Sequence, residues 1–153
     1  MIVYTEESLN GCRLDISSML PSQWGETGDE FAEARPNWRL YENLEKTKTL
    51  IVVMAREDGR PIGYLTGVVY PHPNQTGEII GSIPTYFIER RPGRALMLRS
   101  LIAKGIDVAL KRGAWKVLVK TEYNHSAGRI LEAMGMVPTA VEYAMMRQER
   151  RYA

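Results

Sequence analysis

The most regular stripe of apolar positions lies between residues 94 and 112, where Leu98, Leu101, Ile102, Gly105, Ile106, Ala109 and Leu110 recur at three- and four-residue spacing. That period places them on one face of an α-helix. Arg99, Lys104, Asp107 and Lys111 fall off the face, and Gly113 supplies a stop behind Lys111-Arg112. Three β-prone runs precede it. Leu50 to Ala55 is continuously apolar, and Ile62 to Tyr70 follows the turn-forming Glu57-Asp58-Gly59-Arg60-Pro61. Glu78 to Ile88 follows a break from Tyr70 to Gly77 that is rich in proline and polar residues. The pattern predicts an antiparallel meander, with Gly63 and Gly67 as bulge positions in its middle strand.

Weaker patterns flank this centre. Ile2-Val3-Tyr4 reads as a strand, and Ser8 as the cap of a helix with Cys12, Leu14, Ile16 and Leu20 inward. Pro21 to Gly28, with one proline and two glycines, reads as a loop. Asn37 to Lys46 has helical spacing at Trp38, Tyr41 and Leu44. Trp115 to Thr121 predicts a strand, and Ala127, Ile130, Leu131 and Met134 an inward helix face ending at Gly135. Val137, Thr139, Val141 and Tyr143 alternate between Met136 and Met146, interrupted by Pro138, which predicts one or two final strands before a frayed end at Gln148 to Ala153. The sum is a mixed α/β chain forming one domain over residues 1–153.

Composition narrows the function. A chain of 153 residues supports one core and hence one site. Its 44% apolar and 25% charged residues are ordinary for a globular protein. A net charge of +2 argues against a nucleic-acid or membrane surface, even with Arg90, Arg91 and Arg94 in one turn and Arg147, Arg150 and Arg151 near the end. Cys12 is the only cysteine, so an internal disulfide and a multi-cysteine zinc site are excluded, and no metal site is expected. With no histidine near it, Cys12 reads as a packed or partly exposed thiol. No stretch approaches the ~18 apolar residues of a membrane span, and the expected setting is cytoplasmic, as a monomer or a small oligomer such as a homodimer.

The chemical signal is Glu89-Arg90-Arg91-Pro92-Gly93-Arg94-Ala95, set between a strand and the long helix in a unit running from Ile83 to Arg112. Small residues admit a ligand to backbone N–H groups, while the helix N-terminus and the arginines favour phosphate oxygens. A solvated basic turn is the competing reading. The turn lacks the Gly-Lys-Ser/Thr of a P-loop and the G-x-G-x-x-G of a dinucleotide fold.

The order of elements, this turn and the segment from Asn124 to Met136 together resemble the GNAT superfamily of acyltransferases. Its Q/R-x-x-G-x-G/A loop is matched by Arg90, Gly93 and Ala95, or, in a second register, its arginine is matched by Arg91. Its N-x-x-A-x-x-x-Y-x-x-x-G-F segment is matched at Asn124, Ala127, Gly135 and Met136. The resemblance implies a mostly antiparallel sheet flanked by helices and acetyl-CoA as acyl donor. It further implies that the pyrophosphate is held by the turn from Arg90 to Ala95, Pro92 included, and that pantetheine pairs with the backbone of Phe87 and Ile88. The acceptor implied is a primary amine on a small molecule or protein. Leu131 stands where many members carry the tyrosine that protonates the leaving thiolate, so a CoA-binding protein without transfer is the alternative. Tyr143 is a candidate acid and Glu78 a candidate base, although a packed tyrosine and an edge-strand charge are the commoner roles. Trp24, Glu26 and His72 are candidate acceptor contacts, and some phage-encoded members look similar around these loops.

Overall fold

A computed structural model describes residues 1–28, 33–122 and 127–145. Five strands, β1 (Ile2–Glu6), β2 (Leu50–Glu57), β3 (Arg60–Pro71), β4 (Ile79–Ile88) and β5 (Lys116–Val119), lie in sequence order in one sheet. The first four are antiparallel neighbours, and β5 joins β4 in parallel. Helices α1 (Leu9–Thr27) and α2 (Trp38–Lys46) precede β2; α3 (Arg94–Lys111) crosses from β4 to β5, and α4 (Ala127–Ala133) follows β5.

The unbroken apolar run of β2 is explained by helices on both faces of the sheet. Ile51, Val53 and Ala55 pack with Leu65, Ile83 and the α3 residues Leu98, Leu101 and Ile102. Leu50, Val52 and Met54 pack with Tyr64, Phe87 and the α1 residues Cys12 and Ile16 on the other face. Of the two states expected for its thiol, Cys12 takes the packed one, its pKa pushed up to about 11, chiefly by burial. The hairpin and meander form as predicted, and Gly67 marks a bulge, because Thr66 faces Thr85 while Val68 faces Ser82. Ile83 and Pro84 therefore share one position opposite Gly67, which reverses the alternation of β4 at that point.

Several expectations require correction. Pro21 to Thr27 is not a loop but the last part of α1. Pro21 sits on the exposed side, where the carbonyl its missing N–H leaves unbonded is open to solvent, and Gln23 continues the buried face. Leu14 and Leu110 face solvent, and Val108 takes a buried place in α3. Ser8 occupies the N-cap position of α1 without a side-chain cap bond; instead the Leu9 N–H donates to Glu45 of α2 at 2.6 Å. Among the described residues no strand follows α4. The Met136 N–H turns back to the Leu131 carbonyl at 3.1 Å, and the alternating Val137, Val141 and Tyr143 remain exposed.

Candidate active site

The strands β4 and β5 part company halfway along β4. Their last paired residues are Ile83 and Val119, followed by one bond from the Lys120 N–H to the Ile83 carbonyl at 3.0 Å. From there to Ile88, β4 has no neighbour on its β5 side among the described residues. The Glu89 N–H bonds the Ile62 carbonyl at 2.9 Å, which sets the alternation: Thr85 and Phe87 turn their backbone groups to β3, and Tyr86 and Ile88 turn theirs to the open side. Of the two residues expected to offer backbone to a ligand, Ile88 faces the opening and Phe87 faces Tyr64.

The open edge leads into the arginine turn. Gly93 is the N-cap of α3 in the left-handed conformation, φ 77°, and the N–H groups of Gly93 and Ala95 make no backbone hydrogen bond among the described residues. The three arginines diverge. Arg91 donates to both oxygens of Glu57 at 2.9 and 2.8 Å and to Glu89 at 3.3 Å, while Arg60 holds Glu89 at 2.6 Å. This web ties the turn to the β2–β3 hairpin, and Arg60 keeps the Glu89 carboxyl below its ordinary pKa. Arg90 and Arg94 instead reach across to Glu26, near the end of α1, at 3.0 and 2.6 Å. Burial pushes the Glu26 carboxyl up, but the bonds from Arg94 and Arg90 outweigh it and leave the pKa lowered. The Arg94 guanidinium lies 5.6 Å from the centre of the Phe87 ring, and its Nε is buried without a hydrogen-bond partner.

On the other side of Phe87 a cavity of about 100 Å³ separates α1 and α2 from the sheet. The Phe87 and Tyr64 rings are 6.2 Å apart, and Tyr64 lines the cavity with Leu20, Gln23, Trp24, Trp38 and Tyr41. Its floor includes Thr66 and Thr85, the cross-strand pair beside the bulge. A larger open groove of about 740 Å³ lies at the opposite end of the sheet, by Glu6, Glu7, Glu45 and Arg112. Those groups are already committed: Glu6 to Arg112, Glu7 to Arg56, and Glu45 to the Leu9 N–H.

The candidates chosen from sequence are therefore not all in one place. Trp24 lines the cavity, whereas Glu26 secures the turn's arginines. Glu78 and His72 meet across the far end of the β3–β4 connection, with the His72 N–H donating to the Glu78 carbonyl at 2.8 Å. Six strand steps at ~3.3 Å each, the bulge at Ile83–Pro84 counting as one position, put Glu78 roughly 20 Å along the strand from Thr85. Tyr143 is 91% exposed in the segment after α4. Asn124 lies outside the described residues, as do Tyr123 and the basic positions Arg147, Arg150 and Arg151. Leu131 is packed in the core against α3 and the sheet.

No family model matches the chain, and no curated protein matches it in sequence. Its architecture is widely shared. A ribosomal-protein-alanine N-acetyltransferase from Brucella melitensis biovar Abortus 2308 is similar at a TM-score of 0.73 and 20% identity, over 96% of this chain and 97% of that one. The chain has the GNAT fold. An aminoglycoside acetyltransferase, HMB0005, from an uncultured soil metagenomic sample shares it at a TM-score of 0.74 and 17% identity, over 97% and 99% of the two chains. So does a protein described as a transcriptional regulator from Bacillus halodurans C-125, with a TM-score of 0.74, 15% identity and coverage of 96% and 100%. The GNAT fold is thus common to proteins described in different terms, and activity must be argued from the site.

Sequence reasoning missed four contributors to that site. Tyr86, on the open stretch of β4, has its pKa raised, chiefly by burial, while a hydrogen bond with the Thr121 side chain acts in the opposite direction. Thr66, Thr85 and Gln23 line the cavity. The β-alternation of Thr66 and Thr85 was visible, but the bulge that places them side by side is a tertiary event.

Proposed function

We propose that this chain transfers an acetyl group from acetyl-CoA to a primary amine. The observation that carries the reading is the parting of β4 from β5 directly before the Gly93 turn, which leaves strand-edge amides and helix N-terminal amides in one continuous track. The residues present fit CoA: Tyr86 and Ile88 offer backbone to an amide-bearing arm, Gly93 and Ala95 offer N–H groups to phosphate, and Arg90 and Arg94 supply charge. The engagement of Arg91 with Glu57 and Glu89 supports the register in which Arg90 is the loop's arginine. Acetyl-CoA supplies a thioester whose carbonyl carbon takes the amine lone pair, the C–S bond electrons leaving on sulfur and the amine losing one proton.

The chain's own contribution is positioning and dryness. The cavity on the α1–α2 face is the acceptor site in this reading. No carboxylate lines it among the described residues, so it receives the amine in the neutral form. Tyr86 holds a proton at its hydroxyl at neutral pH and is the proposed proton donor in place of the tyrosine that Leu131 replaces. Glu78 and Tyr143, far along β4 and fully exposed respectively, have no part in this arrangement.

The test is equilibrium binding of CoA together with thiol release from acetyl-CoA in the presence of amines. Wild type is expected to do both, and Gly93→Tyr, which adds a ring at the turn, to lose at least tenfold in CoA affinity while remaining folded. Unchanged affinity in the folded variant would remove the turn from the site. The second reading, CoA binding without transfer, is favoured by the burial of Leu131; saturable CoA binding with no amine-dependent thiol release would establish it.

A further inference from the structure

The lining of the α1–α2 cavity says more about the acceptor than its location does. Its walls are Leu9, Ile16, Leu20, Pro36 and the rings of Trp24, Trp38, Tyr41 and Tyr64, with polar side-chain groups from Gln23, Thr66 and Thr85 and the tip of Tyr64. Gln23 is occupied: its amide nitrogen donates to the Thr27 hydroxyl at 2.8 Å, and its oxygen accepts from the Tyr64 hydroxyl at 3.4 Å. Thr66, 5% exposed, and Thr85 have no side-chain hydrogen bond among the described residues. Both line the cavity, so their hydroxyls are available to donate to a ligand nitrogen placed there.

Size and charge restrict the rest of the ligand. About 100 Å³ suits a chain of a few methylenes better than a bulky ring. With no charged side chain in the lining among the described residues, a second ammonium group or a hydroxyl-bearing sugar ring would be desolvated there without compensation. Thr85 flanks the bulge at Ile83–Pro84, where β4 and β5 separate, so a nitrogen held by the threonine pair lies at the point where the open edge begins.

Resting on the transfer reading above, we propose that the acceptor is an unbranched primary alkylamine, its slim uncharged arm between α1 and α2 and its nitrogen held by the hydroxyls of Thr66 and Thr85. A free alkylamine and the side chain of a lysine share this chemistry. Thr66 and Thr85 are positioning residues for the nitrogen; the aromatic walls measure the arm.

The experiment uses the full chain and four probes: n-butylamine, Nα-acetyl-lysine methylamide, sec-butylamine and an aminoglycoside. Binding is read from tryptophan fluorescence without cofactor, and turnover from thiol release with acetyl-CoA. The two unbranched amines are expected to bind saturably and to exceed sec-butylamine and the aminoglycoside at least tenfold in affinity and in kcat/KM; whichever of the two is better identifies the source. Thr66→Val is expected to lose about tenfold in affinity for the better amine with CoA affinity unchanged, and Thr66→Ser to restore it. A preference for the branched amine or the aminoglycoside, no binding of any unbranched amine, or equal binding by Thr66→Val and wild type would each overturn the proposal. Unbranched-amine binding without thiol release would instead remove the transfer reading and leave the cavity's selectivity standing.

Discussion

Two glycines hold the site in shape for different reasons. Gly93 adopts φ 77°, where an L-residue is strained, although a Cβ there would meet nothing closer than Met97 at 3.7 Å. Gly93→Ala is therefore expected to cost about 1–2 kcal/mol from backbone strain alone, measured by urea unfolding. Gly63 has no such torsional requirement, but a Cβ would lie 2.3 Å from the Phe87 carbonyl and 3.0 Å from the Ile88 Cα. These are backbone atoms and cannot swing aside. Gly63→Ala should cost about 3 kcal/mol and shift the end of β4, lowering CoA affinity as well as the unfolding midpoint. Tyr86→Phe tests the proposed proton donor: kcat should fall about tenfold with the KM for acetyl-CoA unchanged, less than the roughly hundredfold or more usual for a general acid because a thiolate is a good leaving group. A kcat equal to wild type would show that the proton comes from elsewhere.

Elements differ in how openly their residues announced them. Helix α3 was legible because its stripe is long and its buried face continuous. Helix α2 was legible from the spacing of Trp38, Tyr41 and Leu44, and the structure adds its cap, the Asn37 side chain accepting from the Leu40 N–H at 3.0 Å. Asn37→Ala should cost about 1 kcal/mol, seen as a lower urea midpoint. The end of α1 was not legible, since proline and glycine are local signals for a break while the reason to continue is tertiary: Gln23 and Trp24 close the cavity, and Glu26 reaches the turn. Pro21→Ala restores the possibility of a bond to the Ser17 carbonyl and is expected to raise stability by ~1 kcal/mol, or about 2–4 °C in Tm for a chain of this size. A lower Tm would show that Pro21 serves α1 in another way. The final strand failed for the converse reason. Alternation at Val137, Val141 and Tyr143 marks β-competence, but a strand exists only where another edge accepts its hydrogen bonds.

Across the whole molecule, carboxylates with lowered pKa values tie the sheet to its helices and hairpins. The bond from Arg56 holds Glu7 down against burial, Arg60 does the same for Glu89, and Arg94 and Arg90 do so for Glu26. Each ordinary value is 4.5, and each folded value is lower, so the stabilisation is complete above the unfolded pKa and is lost as pH falls through the folded one. Urea midpoints should therefore be flat near neutrality and decline below about pH 4.5, and Glu26→Gln should make that decline shallower. An equally steep decline in the variant would show that Glu26 is not among the groups responsible.

Taken by itself, the order of residues determined the elements whose logic is periodic or local: the meander, the long helix behind a glycine and arginine turn, and the second helix. Periodicity decides these because it specifies which side of an element must be buried. The tertiary structure alone decided that β4 outruns β5, that the bulge brings Thr66 beside Thr85, and that Glu26 joins the turn while Glu78 and His72 lie at the far end of the sheet. Those facts depend on strand register and on contacts between residues dozens of positions apart, and one residue of slip would change every one of them while leaving the hydrophobic pattern intact.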